Sequence, residues 1–282
     1  MSGSLRQQVL ADLASAGCRP LHRFGQNFMV DPRVVDDLLA ALPPLAGARV
    51  VEVGPGTGVL TTRLIDAGAQ VLAVEIDRGL AAHLQTTLVP RGLHLEVGDA
   101  LAGKSRLHPA IEAWAAAGPW LLAANLPYDA AIPILLEAAA LPQQPVAMAA
   151  TVQFECAQRL CSAPGDDAWG ASAAVLQASG SPRLVRRIGR DAFHPRPNVD
   201  SAIVAWTPGG PLPRGFAAWV RTVFSYRRKL VPRALMDAGL DRAAAEAACA
   251  AAGIAADRRL EGLSAGELTA LHRHLPENPC AA

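Results

Sequence analysis

Residues 50–60 read Val-Val-Glu-Val-Gly-Pro-Gly-Thr-Gly-Val-Leu. An apolar run ends in three alternating glycines, Gly54, Gly56 and Gly58, and a second apolar pattern opens at once. Glycines in such a turn let a ligand come against the backbone where a side chain would block it, and the first amides of the following helix favour an electron-rich group. Two acids occupy comparable places further on. Glu75 ends the next apolar run and Ile76 follows it; Asp99 follows the third run and precedes Ala100. A carboxylate after the second strand can accept hydrogen bonds from a ribose diol, and one after the third can accept from an adenine amino group. Each acid alone has a plainer reading, Glu75 as a helix cap with Asp77 and Asp99 as a turn residue. Three such features at the carboxyl ends of successive strands point to a bound nucleoside, because that edge is where open α/β sheets hold ligands.

The elements that would position these residues appear as alternating patterns. Leu5, Val9 and Leu13 recur every four residues, which predicts a short helix. Asp31-Pro32 reads as an N-cap followed by proline at the first helical position, with Val34, Val35, Leu38 and Leu39 on one apolar face. Apolar runs at 49–53, 70–76, 93–97, 120–124 and 146–152 are separated by segments long enough for crossover helices. That alternation predicts an α/β fold: a parallel sheet with helices on both faces. After Gly180 two more strands are expected, at 183–188 and 201–206, and beyond Pro208-Gly209-Gly210-Pro211 come alanine-rich helical segments. The expected organisation is a larger domain with its N-terminal extension over 1–207 and a small helical domain over 208–282.

The glycine spacing narrows the ligand. A dinucleotide fingerprint needs glycine at the third position of G-x-G-x-x-G, which here is Val59, with glycine one residue early at Gly58. The pattern G-x-G-x-G with Glu52 two residues upstream resembles the first motif of S-adenosylmethionine-dependent methyltransferases. The fourth strand runs into Asn125-Leu126-Pro127-Tyr128, and here the resemblance becomes specific. This tetrapeptide is a hallmark of ribosomal RNA adenine N6-methyltransferases, and within that group the chain resembles the small-subunit rRNA adenine dimethyltransferases. Four further ordered segments carry the similarity: His22 to Phe28 (His-Arg-Phe-Gly-Gln-Asn-Phe), Gln153 to Arg159 (Gln-Phe-Glu-Cys-Ala-Gln-Arg), Phe193 to Ser201 (Phe-His-Pro-Arg-Pro-Asn-Val-Asp-Ser) and Phe224 to Lys229 (Phe-Ser-Tyr-Arg-Arg-Lys).

The resemblance implies a Rossmann-like S-adenosylmethionine-dependent methyltransferase sheet, with 208–282 a small helical RNA-binding domain. It implies S-adenosylmethionine as cofactor, held by Gln26, Asn27, Phe28, Glu52, Gly54, Gly56, Gly58, Glu75, Ile76, Asp99, Ala100 and Asn125. Glu52 would shape the glycine turn or lie near the methionine amino group. The implied reaction is methylation of adenine N6 in rRNA, two adjacent adenines near the 3′ end of the small-subunit RNA being dimethylated. An exocyclic adenine amine is a poor nucleophile because its lone pair is delocalised into the ring, so transfer improves as that nitrogen becomes tetrahedral. The side-chain oxygen of Asn125 and the backbone carbonyl of Leu126 can accept its two hydrogens, and Pro127 stiffens the loop. Tyr128 can stack on the flipped base, and Phe193 is expected to offer a second aromatic face.

Composition agrees once it is resolved by position. The 282 residues carry 26 basic and 25 acidic side chains, a formal charge of +1 that at first argues against nucleic acid. Between Ser181 and Arg233, however, eleven basic residues face two acidic ones, a net of +9. Concentrated positive charge of this kind suits an anionic partner. The expected RNA contacts are Arg19 and Arg23 near the N-terminus, the stretch from Arg183 to Arg196 with Arg187, Arg190 and Arg196, and the run Arg227, Arg228 and Lys229. A content of 51% hydrophobic and 18% charged residues excludes a wholly disordered chain. Five cysteines without a C-x-x-C pair fit reduced thiols, and no metal site is expected. Ala14-Ser15-Ala16-Gly17-Cys18 loosely resembles a lipoprotein cleavage site, but Asp12 interrupts the segment and no apolar stretch precedes it. The reading is a soluble, cytoplasmic monomer with no membrane partner that acts on rRNA, within an assembling small subunit.

The chain also departs from the family pattern. Asp129, Ala130-Ala131, Phe154, Trp169, Asn198, Leu230, Pro232 and Arg233 stand where other residues are usual, and none of them touches the methyl-donor motifs, Asn125 or Tyr128. Three other readings share these features: a large-subunit rRNA adenine methyltransferase of the macrolide-resistance type, a non-catalytic RNA-binding assembly factor, and a methyltransferase for a non-RNA substrate. If the basic segments hold phosphates, RNA affinity measured by filter binding falls steeply between roughly 50 and 200 mM salt. A flat response would remove them from the RNA interface.

Overall fold

The computed structural model describes residues 4–21, 24–103 and 106–276. The chain separates into two compact units, one made of Met1–Ala157 with Pro182–Pro208 and the other of Gln158–Ser181 with Gly209–Ala282. The division differs from the consecutive one expected at 207/208, because the excursion 158–181 joins the C-terminal residues. Within that second unit the helix Ala171–Ser179 packs on the helices Phe216–Val223 and Ala265–Arg273. The buried rings of Trp169, Phe216 and Trp219 form much of its core.

The first unit is built on a seven-stranded sheet in the order β4-β3-β2-β5-β6-β9-β7. Its members are β2 (Arg49–Val53), β3 (Gln70–Glu75), β4 (His94–Val97), β5 (Leu121–Asn125), β6 (Ala147–Gln153), β7 (Gly180–Ile188) and β9 (Ser201–Pro208). The first five are parallel, as expected. β9 runs antiparallel to β6, so the sheet is mixed rather than wholly parallel. The apolar run of β9 announces a strand buried on both faces without declaring its direction. A second, two-stranded sheet was not foreseen. In it β1 (Phe28–Met29) pairs antiparallel with β8 (Phe193–His194), setting Phe28 opposite His194 and Met29 opposite Phe193.

The helices begin where the sequence signals them. Ser4 and Gln7 form a reciprocal capping box on α1 (Leu5–Ser15). Asp31 caps α2 (Pro32–Ala40), whose first residue is proline and whose Val34, Val35 and Leu38 are buried. Asp77 caps α4 (Arg78–Thr87) by accepting from the amides of Gly79 and Leu80. Among the described residues no helix is long and apolar enough to cross a membrane.

One glycine in the turn after β2 is demanded by packing. Gly58 opens α3 (Val59–Asp66) at φ 83°, and a Cβ there would lie 2.5 Å from Leu88 Cδ1 and 3.0 Å from Leu84 Cδ2. Strain and overlap act together at this position. Gly58→Ala therefore destabilises the protein by ~1–3 kcal/mol, measurable as a lower urea midpoint. An unchanged midpoint would show that the turn tolerates a side chain.

Candidate active site

A cleft opens at the carboxyl edge of β2, β3 and β5, all within the first unit. Its walls are the glycine turn, the lead-in segment 24–29, Glu52, Glu75, Ile76 and the loop Asn125 to Tyr128. An adjoining hollow continues past Gly54 and Ile76 to Asp99, Ala100, Pro127 and Asp129. The two spaces share Gly54, at φ 66°, where an added Cβ would meet nothing within 4 Å. At Gly56 a Cβ would instead lie 2.9 Å from the ring of Phe28. Phe28 is thus placed by the turn, and Gly54 presents bare backbone to the cleft.

Glu75 organises the turn. Its two carboxylate oxygens accept from the amide of Gly56 (3.0 Å) and the amide of Asp77 (2.8 Å). Burial raises its pKa to about 6, although these backbone donors pull it down. Glu52 lies beneath the turn, 1% exposed, and accepts from Thr61 Oγ1 at 2.7 Å. Burial pushes its pKa up to about 8, only partly opposed by the Thr61 hydroxyl, and the Glu75 charge pushes the same way. No cation pairs with either carboxyl among the described residues. A pocket with two buried acids suits a ligand that brings its own positive charge and hydroxyl donors.

Asn125, the last residue of β5, is held at both ends of its amide. Nδ2 donates to the backbone carbonyl of Asn27 at 2.6 Å, and Oδ1 accepts from the Thr151 hydroxyl across the β5–β6 ladder. Because a carbonyl can only accept, Nδ2 must face Asn27, and this orients the amide. Oδ1 keeps a second lone pair for another donor. Leu126 is buried and its amide bonds to the Thr151 carbonyl. Tyr128 Oη lies 2.9 Å from Ser201 Oγ on β9, which anchors the ring at the cleft margin, and burial raises its pKa. Thr151, Ser201 and Thr61 were not singled out in the sequence; a threonine or serine inside an apolar run reads as a strand or helix residue.

Most expected cofactor residues come together here: Gln26, Asn27, Phe28, Glu52, Gly54, Gly56, Glu75, Ile76 and Asn125 border the first space. Asp99 and Ala100 border the second, with Asp99 accepting from the Leu101 amide at 2.9 Å. Ile76 leaves a large apolar side chain 41% exposed. Gly58 lies behind the turn, against Leu84 and Leu88. The Gln26 amide ties its own segment down, accepting from the Leu21 amide and donating to Asp77. Phe193 corrects the expectation of a second aromatic face. It is 1% exposed, packed with Met29, Val34 and Ile203 in the core, and borders neither space.

The expected RNA residues fall in different places. Arg23 lies outside the described residues. Arg187 and Arg190 both approach Asp200, and Arg196 pairs with Asp191, all in the first unit. Arg227, Arg228 and Lys229 belong to the second unit. Arg227 donates to the Trp169 carbonyl at 2.9 Å and Lys229 pairs with Asp237, while Arg228 is exposed.

Comparison with known proteins decides the family. The family model described as ribosomal RNA adenine dimethylase matches residues 20–275. The chain belongs to that family. Among its relatives, proteins called ribosomal RNA small subunit methyltransferase A are 37% identical in Leifsonia xyli subsp. xyli, covering 93% of this chain and 95% of that one, and 39% identical in a Synechococcus species, covering 89% and 91%. Two solved structures share the dimethylase fold at lower identity. A dimethyladenosine transferase from Plasmodium falciparum is 18% identical with a TM-score of 0.68, covering 86% of this chain and 95% of that one. The 23S rRNA methyltransferase ErmE is 24% identical with a TM-score of 0.63, covering 88% and 99%.

The buried acids have a pH signature. A carboxyl whose pKa is raised on folding is neutral and costs nothing at low pH, and its stability cost grows as pH rises from the unfolded value of 4.5 to the folded one of about 8. Glu52→Gln, which keeps an acceptor for Thr61, should therefore match the wild type in unfolding free energy near pH 4 and exceed it near pH 8 by on the order of a few kcal/mol, read as superimposed melting curves at the lower pH and a higher melting temperature at the upper. Parallel melting curves across that range would place the cost elsewhere.

Proposed function

We propose that this protein transfers methyl groups from S-adenosylmethionine to the N6 amine of adenines in small-subunit rRNA, dimethylating two adjacent adenines near the 3′ end. The observation that carries the reading is the fixed orientation of Asn125 at the cleft, its Nδ2 committed to the Asn27 carbonyl and its Oδ1, bonded to the Thr151 hydroxyl, keeping one further acceptor position. Family membership and the names of the relatives support the RNA class.

The cofactor fits the residues present. Bare backbone at Gly54 leaves room for its chain, exposed Ile76 offers an apolar surface to adenine, and Asp99 stands where an amino group needs an acceptor. Glu75 can accept from ribose hydroxyls with lone pairs its two amide donors leave over, and Glu52 regains its charge beside an ammonium. Bound there, S-adenosylmethionine supplies a methyl group on a positively charged sulfur. Asn125 Oδ1 and the Leu126 carbonyl accept the two N6 hydrogens and favour a tetrahedral nitrogen, whose lone pair then points away from them. Tyr128, anchored through Ser201, provides a face for the extruded base. The nitrogen made nucleophilic in this way would take the methyl group the cofactor supplies, the sulfur leaving as a neutral thioether, and the N6 proton would pass to water once the nitrogen is cationic. No strong base is required, which suits an asparagine at this position.

The site of action is an assembling small ribosomal subunit in the cytoplasm, and the protein acts as a monomer. Incubating purified protein with labelled donor and unmethylated small subunits should give N6,N6-dimethyladenine by mass spectrometry. Methylation only of large-subunit RNA would favour the macrolide-resistance activity, and none at all would favour an assembly factor. Asn125→Ala should lower turnover about 100-fold or more while calorimetry shows S-adenosylmethionine affinity within a few fold. Thr151→Val should lower turnover less, because it removes only the hydroxyl that steadies Oδ1. Near-normal turnover in Asn125→Ala would end the amine-acceptor role.

A further inference from the structure

A groove separate from the cleft lies where β6 leaves the sheet and β9 enters it. Its lining includes Gln153, Phe154, Glu155, Arg187, Asn198 and Asp200. The Arg187 guanidinium sits 4.4 Å from the centroid of the Phe154 ring. Nε and Nη2 of the same group donate to Asp200 Oδ2 at 3.0 and 2.6 Å, and the Phe154 amide donates to the Asp200 carbonyl at 2.9 Å. Three segments thus hold one stacked pair, with the guanidinium side chain still 60% exposed.

Arg187 is therefore poorly matched to the phosphate role expected for it. Asp200 neutralises its charge and occupies two of its donors, and Arg190 Nε also approaches Asp200, at 3.8 Å. What remains is a flat, immobilised plane backed by an aromatic ring. Unpaired RNA bases are held on surfaces of that kind, stacked on aromatic rings or on guanidinium planes. The side-chain amides of Gln153 and Asn198 border the groove and make no hydrogen bond among the described residues, so both can read a base edge.

The groove is coupled to the active site by register. Asn125 pairs with Thr151 in β6, and Gln153 lies two residues further along the same strand, about 7 Å away. Gln153 pairs with Ser201, the residue that anchors Tyr128. We propose that the Phe154–Arg187 pair is a subsite for an unpaired nucleobase neighbouring the target adenine, with Gln153 and Asn198 selecting its edge. The subsite rests on the reading of this protein as an rRNA adenine methyltransferase. Phe154 and Asn198 both depart from the family pattern, so the subsite would make this chain's grip on the flanking nucleotide its own.

The test uses the full chain and unmethylated small ribosomal subunits. Methylation by the wild type establishes the parent reading by itself; its absence overturns both. Arg187→Lys keeps the charge and loses the plane, and Phe154→Leu keeps apolar bulk and loses the ring face. Each should raise the KM for subunits about tenfold with kcat within twofold, S-adenosylmethionine affinity unchanged and the salt dependence of KM unaltered. A phosphate contact predicts the opposite pattern, Arg187→Lys remaining near wild type. Phe154→p-benzoylphenylalanine, irradiated in the complex, should crosslink to the nucleotide next to the methylated adenine. Crosslinks confined to distant nucleotides, or wild-type kinetics in Arg187→Lys, would overturn the subsite while leaving methylation by the wild type intact.

Discussion

The active site depends on the two hydrogen bonds that hold the Asn125 amide. They join the end of β5 to the backbone of the lead-in segment and to Thr151 of β6. The Asn27 carbonyl decides which end of the amide is donor and which is acceptor, from a backbone atom 98 residues away. Asn27 is held in turn by neighbours on both sides: Gln26 through Asp77, and Phe28 through its contact with Gly56 and its pairing with His194. A displacement of any of these would reach the acceptor oxygen without touching it.

The same economy governs the cofactor side. Glu75 closes the glycine turn from below and keeps Asp77 in position, and Asp77 both starts α4 and receives Gln26. One buried carboxylate therefore links the turn, a helix start and the lead-in segment. Burial makes this carboxylate and Glu52 costly to ionise, which raises the pKa of each.

What was legible in the sequence was local. The alternating glycines, the acids at strand ends, Asn125 to Tyr128 and the cap at Asp31 all rest on neighbours within a few residues. Their backbone geometry follows from residue type. Thr151 and Ser201 were silent because their partners come from strand register, which no single run displays. Phe193 differs for a related reason: the family resemblance implied a stacking face, while long-range packing places the ring in the core. The antiparallel direction of β9 and the transfer of 158–181 to the second unit likewise depend on long-range packing. The basic segment was visible as charge with its two acids, but its division between units and the pairing of those acids with particular arginines were not.

The two-stranded sheet of β1 and β8 has a kinetic side. It joins Phe28 to His194, positions separated by more than half the chain, and loop closure over such a span is entropically slow to reward. A chain emerging from its N-terminus holds the glycine turn, both buried acids and Asn125 well before it holds the strand that fixes the cleft wall. The residues that border the cleft are therefore synthesised early, and the pairing that completes its wall forms late.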